Sequence, residues 1–426
     1  MKKTLLKKVL HNGKEVDILI EGNKFKKIAE EIKEDVDKVI IPCEGKAIEP
    51  AFYNCHTHIP MILLKGVSDE KDLQDWLEKD IFPREAKMDE NDIYIASKFA
   101  ILEMIKGGTV FCNDMYFFPE KIMQAINEMK IRGVVSKPEL NITYTKEEFE
   151  EKKKKVLEFM NSPNLNEDRI IKGISCHSVY TLSEEFLKFY SDLAKKHNSF
   201  LHIHACETKK EVDDCIAKHS CTPIKYLEDL GLLTDKTILA HCVHLGPNDM
   251  DIIKKHNCKI IHCPTSNSKL RSGMMHFEEL LKKGITITLG TDGSASNNSL
   301  SMLEEMKVCA LNAKIESNDP KAGKVEDVFK AATLNGAKTF GIDAGVIEEG
   351  KLADFILLDL NHYLMLPNYN IISNIIYSAQ NECITDVFCN GEHIMKNRKV
   401  EGEEKIIEDF KRILDEFKKK CNNNSK

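Results

Sequence analysis

Ala47-Ile48-Glu49-Pro50-Ala51-Phe52-Tyr53, running into Asn54-Cys55-His56-Thr57-His58, is an apolar β-type run with a polar tip. Side chains alternate along a strand with period two, so His56 and His58 project from one side and both imidazoles can reach one cation. The same theme recurs to about residue 340. After 47–53, strands are expected at 108–113, 132–136, 170–176, 200–204, 237–241, 259–262 and 286–290. Helical spacing lies between them at 90–106, 120–130, 183–197, 222–230, 247–256 and 275–283. Alternation of this kind implies a parallel sheet, and eight units imply an α/β fold closed as a (β/α)₈ TIM barrel over 51–344. The polar residues support closure: His56, His58, Asn113, Lys137, His177, His204, Glu207, His241, Asn267 and Asp292 all fall at or just beyond the C-terminal ends of these strands. That is the active-site face of a barrel. A doubly wound open sheet would keep the first and last strands apart, and His56 and Asp292 could not share a metal.

The ends of the chain read differently. Residues 1–50 and 345–400 are short strands punctuated by Asn12-Gly13, Gly350, Asn361 and Asn390-Gly391, and the two segments are expected to meet as one small β-sandwich. Residues 403–420 carry Ile406, Ile407, Phe410, Ile413, Leu414 and Phe417 at helical spacing, an amphipathic helix for the barrel surface or a partner, followed by a frayed tail over 421–426.

Bulk properties exclude several classes. The 426 residues suffice for one large domain and a smaller one. A net charge of −7 gives no electrostatic footprint for nucleic acid. No apolar stretch approaches the roughly 20 residues needed to cross a bilayer, and the N-terminus lacks a signal-peptide core. The fourteen cysteines include no C-x-x-C pair and read as reduced core residues, so a cytoplasmic protein is expected.

Neutral imidazoles and a carboxylate suit one borderline divalent cation, Zn²⁺ first, with Fe²⁺, Ni²⁺ or Mn²⁺ admitted. His56, His58, His204 and Asp292 are the candidate ligands. A bound Zn²⁺ can lower the pKa of water from about 15.7 to about 7, making hydroxide available at neutral pH. His241 and Asp292 are placed to orient that water and take its proton. Glu207, three residues after His204, is the candidate acid: attack at an aromatic C–NH₂ carbon needs a ring nitrogen to be protonated. Isolated histidines such as His11, His197, His219, His256, His276, His362 and His393 read as ordinary polar residues. His202, His244 and His262 are open between packing and the site.

His56-Thr57-His58 with Pro60-Met61 and Leu64-Lys65-Gly66, Ala240-His241-Cys242-Val243-His244-Leu245, Pro264-Thr265-Ser266-Asn267 and Thr291-Asp292-Gly293-Ser294-Ala295-Ser296-Asn297-Asn298-Ser299 resemble the amidohydrolase superfamily. Within it, the branch of 5-methylthioadenosine/S-adenosylhomocysteine deaminases is the best match. The resemblance implies the same four metal ligands, Glu207 and His241 in the roles above, and a substrate pocket containing Trp76, Glu85 and His177, with Glu85 taking ribose hydroxyls. It also makes a homo-oligomer plausible. Where that branch has an arginine after its third strand, this chain has Lys137, read as substrate-facing, and 139–150 supplies no second arginine. A lysine cannot reproduce bidentate carboxylate binding, so 5-methylthioadenosine, 5-deoxyadenosine and adenosine are expected ahead of S-adenosylhomocysteine. The alternatives are a deaminase or chlorohydrolase of guanine or a triazine, and a two-metal cyclic amide hydrolase. The last needs a bridging lysine, whereas the fourth strand ends Ser175-Cys176-His177. A scaffold barrel should have lost ligands, and none is missing.

Overall fold

The computed structural model describes residues 3–33, 39–139 and 145–422 as two separate sheets with helices between and around them. One sheet is parallel, and its strands follow the chain in order: Phe52–His58, Thr109–Met115, Arg132–Ser136, Ile170–Cys176, Leu201–Ala205, Thr237–His241, Lys259–His262 and Ile287–Leu289. A ninth short strand, Asp292–Gly293, pairs back onto the first, with Asp292 opposite Thr57 and Gly293 opposite His58. Most of these strands are buried on both faces, as expected when helices cover a parallel sheet.

The first expected strand is really two. Lys46–Pro50 belongs to the other sheet, antiparallel to Phe355–Asp359, and the parallel strand begins only at Phe52. His56 and His58 therefore lie within the strand's last turn of pleat rather than beyond it. Helix boundaries follow their caps closely. Asp89 closes a capping box on Glu90–Lys106, Ser183 caps Glu184–His197, and Thr222 caps Pro223–Asp229.

The second sheet is mixed, and strands from both chain ends enter it, Lys3–His11, Lys14–Glu21, Lys24–Ala29, Val39–Pro42 and Lys46–Pro50 from the N-terminal side and Phe355–Asp359, Ile384–Cys389, Glu392–Lys396 and Lys399–Val400 from the other. Asn12-Gly13 and Asn390-Gly391 both have positive φ at each residue, the backbone that tight hairpins demand. Arg132 of the parallel sheet donates through Nε to Asp354 Oδ2 at 3.1 Å, and Tyr53 donates to the same oxygen at 2.8 Å, tying the sheets together.

Asp386 binds the mixed sheet internally. It accepts from Lys46 Nζ (2.8 Å), His393 Nε2 (2.9 Å) and the Asn397 amide (3.1 Å). Burial opposes its charge, but the bonds from His393, Lys46 and Thr385 outweigh burial and hold the carboxyl well below the usual carboxylate range. A depressed folded pKa contributes stability that is complete above the unfolded value of about 3.9 and is lost as pH falls below it. Asp386→Asn should therefore lower Tm by about 2 °C or more at pH 7, and the gap from wild type should close as pH falls from about 5 towards 2. A gap independent of pH in calorimetry would assign the effect to packing instead.

The C-terminal helix, Glu403–Asn422, spends its apolar face on its own chain. Phe410 stacks on Phe99 with ring centroids 3.9 Å apart, Ile406, Ile413 and Phe417 are buried, and Lys420 pairs with Asp89 and Asp92. Of the expected frayed tail, residues 423–426 lie outside the described residues.

Candidate active site

The C-terminal ends of the parallel strands bring four side chains together. One ligand atom each from His56, His58, His204 and Asp292 lies within 4.8 Å of the others. Asp292 Oδ1 is 3.3 Å from both His56 Nε2 and His58 Nε2, and His204 Nε2 is 3.3 Å from His58 Nε2. Outer partners orient the rings: His58 Nδ1 donates to the Met115 carbonyl at 2.9 Å and His204 Nδ1 to the His177 carbonyl at 2.7 Å. Those bonds place the Nε2 lone pairs inward. His58 Nε2 and His204 Nε2 face each other at 3.3 Å beside a buried His56 Nε2 with no hydrogen-bond partner, a set of converging nitrogens that fits a shared cation. His56 Nδ1 is hydrogen-bonded to His202 Nε2 at 3.0 Å, which settles His202 as a support for the cluster.

Charge in the cluster follows from burial and neighbours. Burial opposes ionisation of Asp292, yet the His56 and His58 rings, each 3.3 Å from Oδ1, hold its carboxyl well below the ordinary range. Burial drives His56 down to about 4 and takes His204 well below 6.5, so both rings are neutral and ready to ligate. Burial also opposes the charged form of His58, but Asp292 outweighs it and raises this group to about 9. A cation at Nε2 would replace that proton, and metal uptake should release it.

The backbone at Asp292 is left-handed, with φ of 61°. Such a conformation in a non-glycine residue persists only when the surroundings over-determine it. Here Thr291 donates its amide to Asn54 Oδ1 (3.0 Å), its carbonyl accepts from Asn297 Nδ2 (2.8 Å), and Ser266 and Ser296 donate to Asp292 Oδ2 at 2.6 and 3.0 Å. His241 is also left-handed, with φ of 70°, and donates Nδ1–H to Asn267 Oδ1 at 2.8 Å. Its other nitrogen faces Glu207 Oε2 at 3.7 Å. Glu207 is pushed up by burial first, with Asp292 adding to the rise and His241 opposing it.

Above the cluster lies a cleft of about 650 Å³, counted out to its solvent-open mouth. Trp76, Glu85, His177, Glu207, His241 and Asp292 line it. Tyr116 donates to Glu85 Oε1 at 2.5 Å, leaving the second oxygen for a ligand. His177 is driven down to about 3 by burial, and its Nδ1 is hydrogen-bonded to Thr181 Oγ1 at 3.0 Å. Lys137 is the exception among the expected contacts. It lines an adjoining cavity that shares Phe82, Glu85 and Phe117 with the cleft. His244 is spent on the Ser272 carbonyl at 2.6 Å, and His262 is buried in the core.

The model of the Amidohydrolase family matches residues 47–394. The chain belongs to the amidohydrolase family. It is similar to a 5'-deoxyadenosine deaminase of Methanocaldococcus jannaschii, at 41% identity over 95% of this chain and 97% of that one. A 5-methylthioadenosine/S-adenosylhomocysteine deaminase 1 of Archaeoglobus fulgidus is 40% identical over 92% and 93% of the two chains. Among solved structures, an adenosine deaminase from Xanthomonas campestris with bound zinc superposes with a TM-score of 0.89 at 26% identity, covering 98% of each chain.

Sequence reasoning missed part of this amidohydrolase's cleft. Helical turns at Ile59–Leu64, Leu73–Trp76, Leu77–Ile81 and Phe82–Glu85 carry Met61, Leu73, Leu77 and Phe82 into it, and none of these elements was expected. Their apolar residues face the cleft as well as the core, so no clean helical period marks them. Tyr116 and Tyr180 were missed too. Tyr116 lies just past the Thr109–Met115 strand, where a search at every strand end would have found it.

Proposed function

We propose that this amidohydrolase is a metal-dependent hydrolytic deaminase of adenosine-type nucleosides, converting 5-methylthioadenosine, 5-deoxyadenosine or adenosine to the inosine-type product and ammonia. The observation that carries the reading is Glu207 and His241 side by side next to the His56, His58, His204 and Asp292 cluster, in a cleft that also presents Trp76 and Glu85. The printed activities of the relatives from M. jannaschii and A. fulgidus support it.

His56, His58, His204 and Asp292 would hold the metal; the donor set favours Zn²⁺, with Fe²⁺, Ni²⁺ or Mn²⁺ admitted, and the X. campestris relative carries zinc. When bound, the cation supplies the Lewis acidity that makes water deprotonable at neutral pH. His241, with Nδ1–H committed to Asn267, offers Nε2 to orient the attacking water and accept its proton. Glu207 in its protonated form gives a proton to the ring nitrogen as oxygen adds to the amino-bearing carbon. The water-derived proton, relayed by His241 or Asp292, passes to the amino group, the remaining hydroxyl proton returns to the Glu207 carboxylate as the carbonyl forms, the carbon–nitrogen bond breaks, and ammonia leaves. Glu85 accepts from the ribose hydroxyls through the oxygen that Tyr116 leaves open, and Trp76 and His177 close around the nucleoside.

Among the described residues no arginine or lysine lines the cleft, where three carboxyl groups, Glu85, Glu207 and Asp292, already gather. A substrate carboxylate would be unpaired there, which favours neutral 5′ substituents over S-adenosylhomocysteine.

The parallel sheet is read as a closed (β/α)₈ barrel spanning 51–344. Its support is that Ile287–Leu289, the last strand in order, is followed after two residues by Asp292–Gly293, which pairs with the first. Segments 1–50 and 345–400 are read as a β-sandwich, supported by Phe25 packing on Phe355 with centroids 5.6 Å apart. A cytoplasmic location is supported by fourteen cysteines that are all free thiols, and no described helix is long and apolar enough to cross a membrane.

The test is ammonia release by Zn²⁺-loaded protein from 5-methylthioadenosine, 5-deoxyadenosine, adenosine, S-adenosylhomocysteine and guanine. We expect release from the first three and kcat/KM at least about tenfold lower for S-adenosylhomocysteine, the effect of one unpaired charge. Release from guanine alone would overturn the nucleoside reading.

A further inference from the structure

Glu305 lies on the helix Met302–Ser317, outside the lining of the cleft, and is fully buried. Burial pushes its carboxyl up to about 8, and a buried polar group is costly unless its atoms are satisfied; here the two oxygens serve two different segments. Oε1 accepts from Asn297 Nδ2 at 2.5 Å, and the same amide group donates to the Thr291 carbonyl at 2.8 Å. Oε2 accepts from the Thr265 backbone amide at 3.3 Å.

Each segment leads directly to the chemistry. Thr291 precedes Asp292, whose left-handed backbone depends on how residue 291 is held. Thr265 precedes Ser266, which donates to Asp292 Oδ2, and Asn267, which holds His241. The turn Pro264–Lys269 after Lys259–His262 and the turn Ser294–Asn297 after Ile287–Leu289 thus meet on one carboxyl group. Moving the Thr265 segment would change both Asp292, through Ser266, and His241, through Asn267, and moving the Thr291 segment would change the direction of Asp292.

We propose that Glu305 is a positioning residue, which sets the register between these two segments and thereby the affinity of the His56, His58, His204 and Asp292 cluster for its metal and the placement of His241. The inference rests on the proposed deaminase reading for its kinetic readout, whereas its metal readout needs no substrate.

Glu305→Gln is the informative variant. It keeps the volume and one acceptor oxygen but turns an NH₂ group towards a donor, so one of the two ties breaks whichever way the amide sits. For the full chain we expect a folded protein whose Zn²⁺ affinity, measured by chelator competition without substrate, is about 10–100-fold weaker than wild type. Turnover of 5-deoxyadenosine should show kcat lower by a similar factor and KM within about threefold, because binding groups such as Trp76 and Glu85 sit on other helical turns. Asn297→Ala cuts the same tie from the loop side and should reproduce both defects, which keeps the test valid if Glu305→Gln fails to fold. Wild-type Zn²⁺ affinity and kcat in the variants, with only a lower Tm, would overturn the inference and leave Glu305 a packing residue. If wild-type protein binds Zn²⁺ but deaminates none of the nucleosides, the functional reading fails, and chelator competition still decides the role of Glu305.

Discussion

Glu207→Gln is expected to retain its bound metal and lose about 10²–10⁴-fold in deaminase kcat. Glu207 stands beside the ligand cluster without belonging to it: its Oε2 faces His241 Nε2 at 3.7 Å, and it is not one of the four converging donors. Glutamine has the same shape and can donate an N–H bond to a ring nitrogen, but it cannot transfer the proton. Burial raises the Glu207 carboxyl above the ordinary value, which favours the protonated form that the reaction needs. The acid form is lost as pH rises through that elevated value, so wild-type kcat/KM should fall on the basic side and the variant should lack that limb. Metal analysis together with steady-state ammonia release checks the prediction. Full activity in the variant would remove Glu207 from ring protonation.

Asp292→Ala is expected to lose both metal and turnover, with metal affinity down by more than about 100-fold and kcat/KM by at least about 10⁴-fold. Asp292 is the one anionic donor in the cluster, 3.3 Å from two imidazole nitrogens. Removing it leaves three neutral rings around a divalent charge. It also strips Ser266 and Ser296 of the acceptor at Oδ2, in a region where each is buried. Metal content after gel filtration reads the first effect, and ammonia release at saturating Zn²⁺ reads the second. A variant that kept its metal and lost only turnover would make Asp292 a proton acceptor and not a ligand.

Much of this molecule was legible in residue order. The helix starts expected at 90, 183 and 222 fall within one residue of the observed ones, where Asp89, Ser183 and Thr222 cap the first turn by a local hydrogen bond. The division of the expected 47–53 strand into two was missed for the opposite reason. Ala47 to Tyr53 is one apolar run, and only the partners, Phe355–Asp359 for one half and Thr109–Met115 for the other, divide it between two sheets. Lys137 likewise follows its strand as expected, yet the turn of backbone beyond Ser136 directs it to the neighbouring cavity.

The sequence by itself determined which residue types stand at the strand ends, and the His56-Thr57-His58 pair follows from the two-residue period of an extended chain. Tertiary structure decided which atoms meet. Asp292 reaches His56 and His58 only through strand pairing across more than two hundred residues, His202 becomes a support for His56 across 146 residues, and Glu305 joins two segments that are neighbours only in space. Local propensity and periodicity act within a few residues of one another, whereas a site of this kind is fixed by hydrogen bonds and burial between segments that come together when the sheet forms.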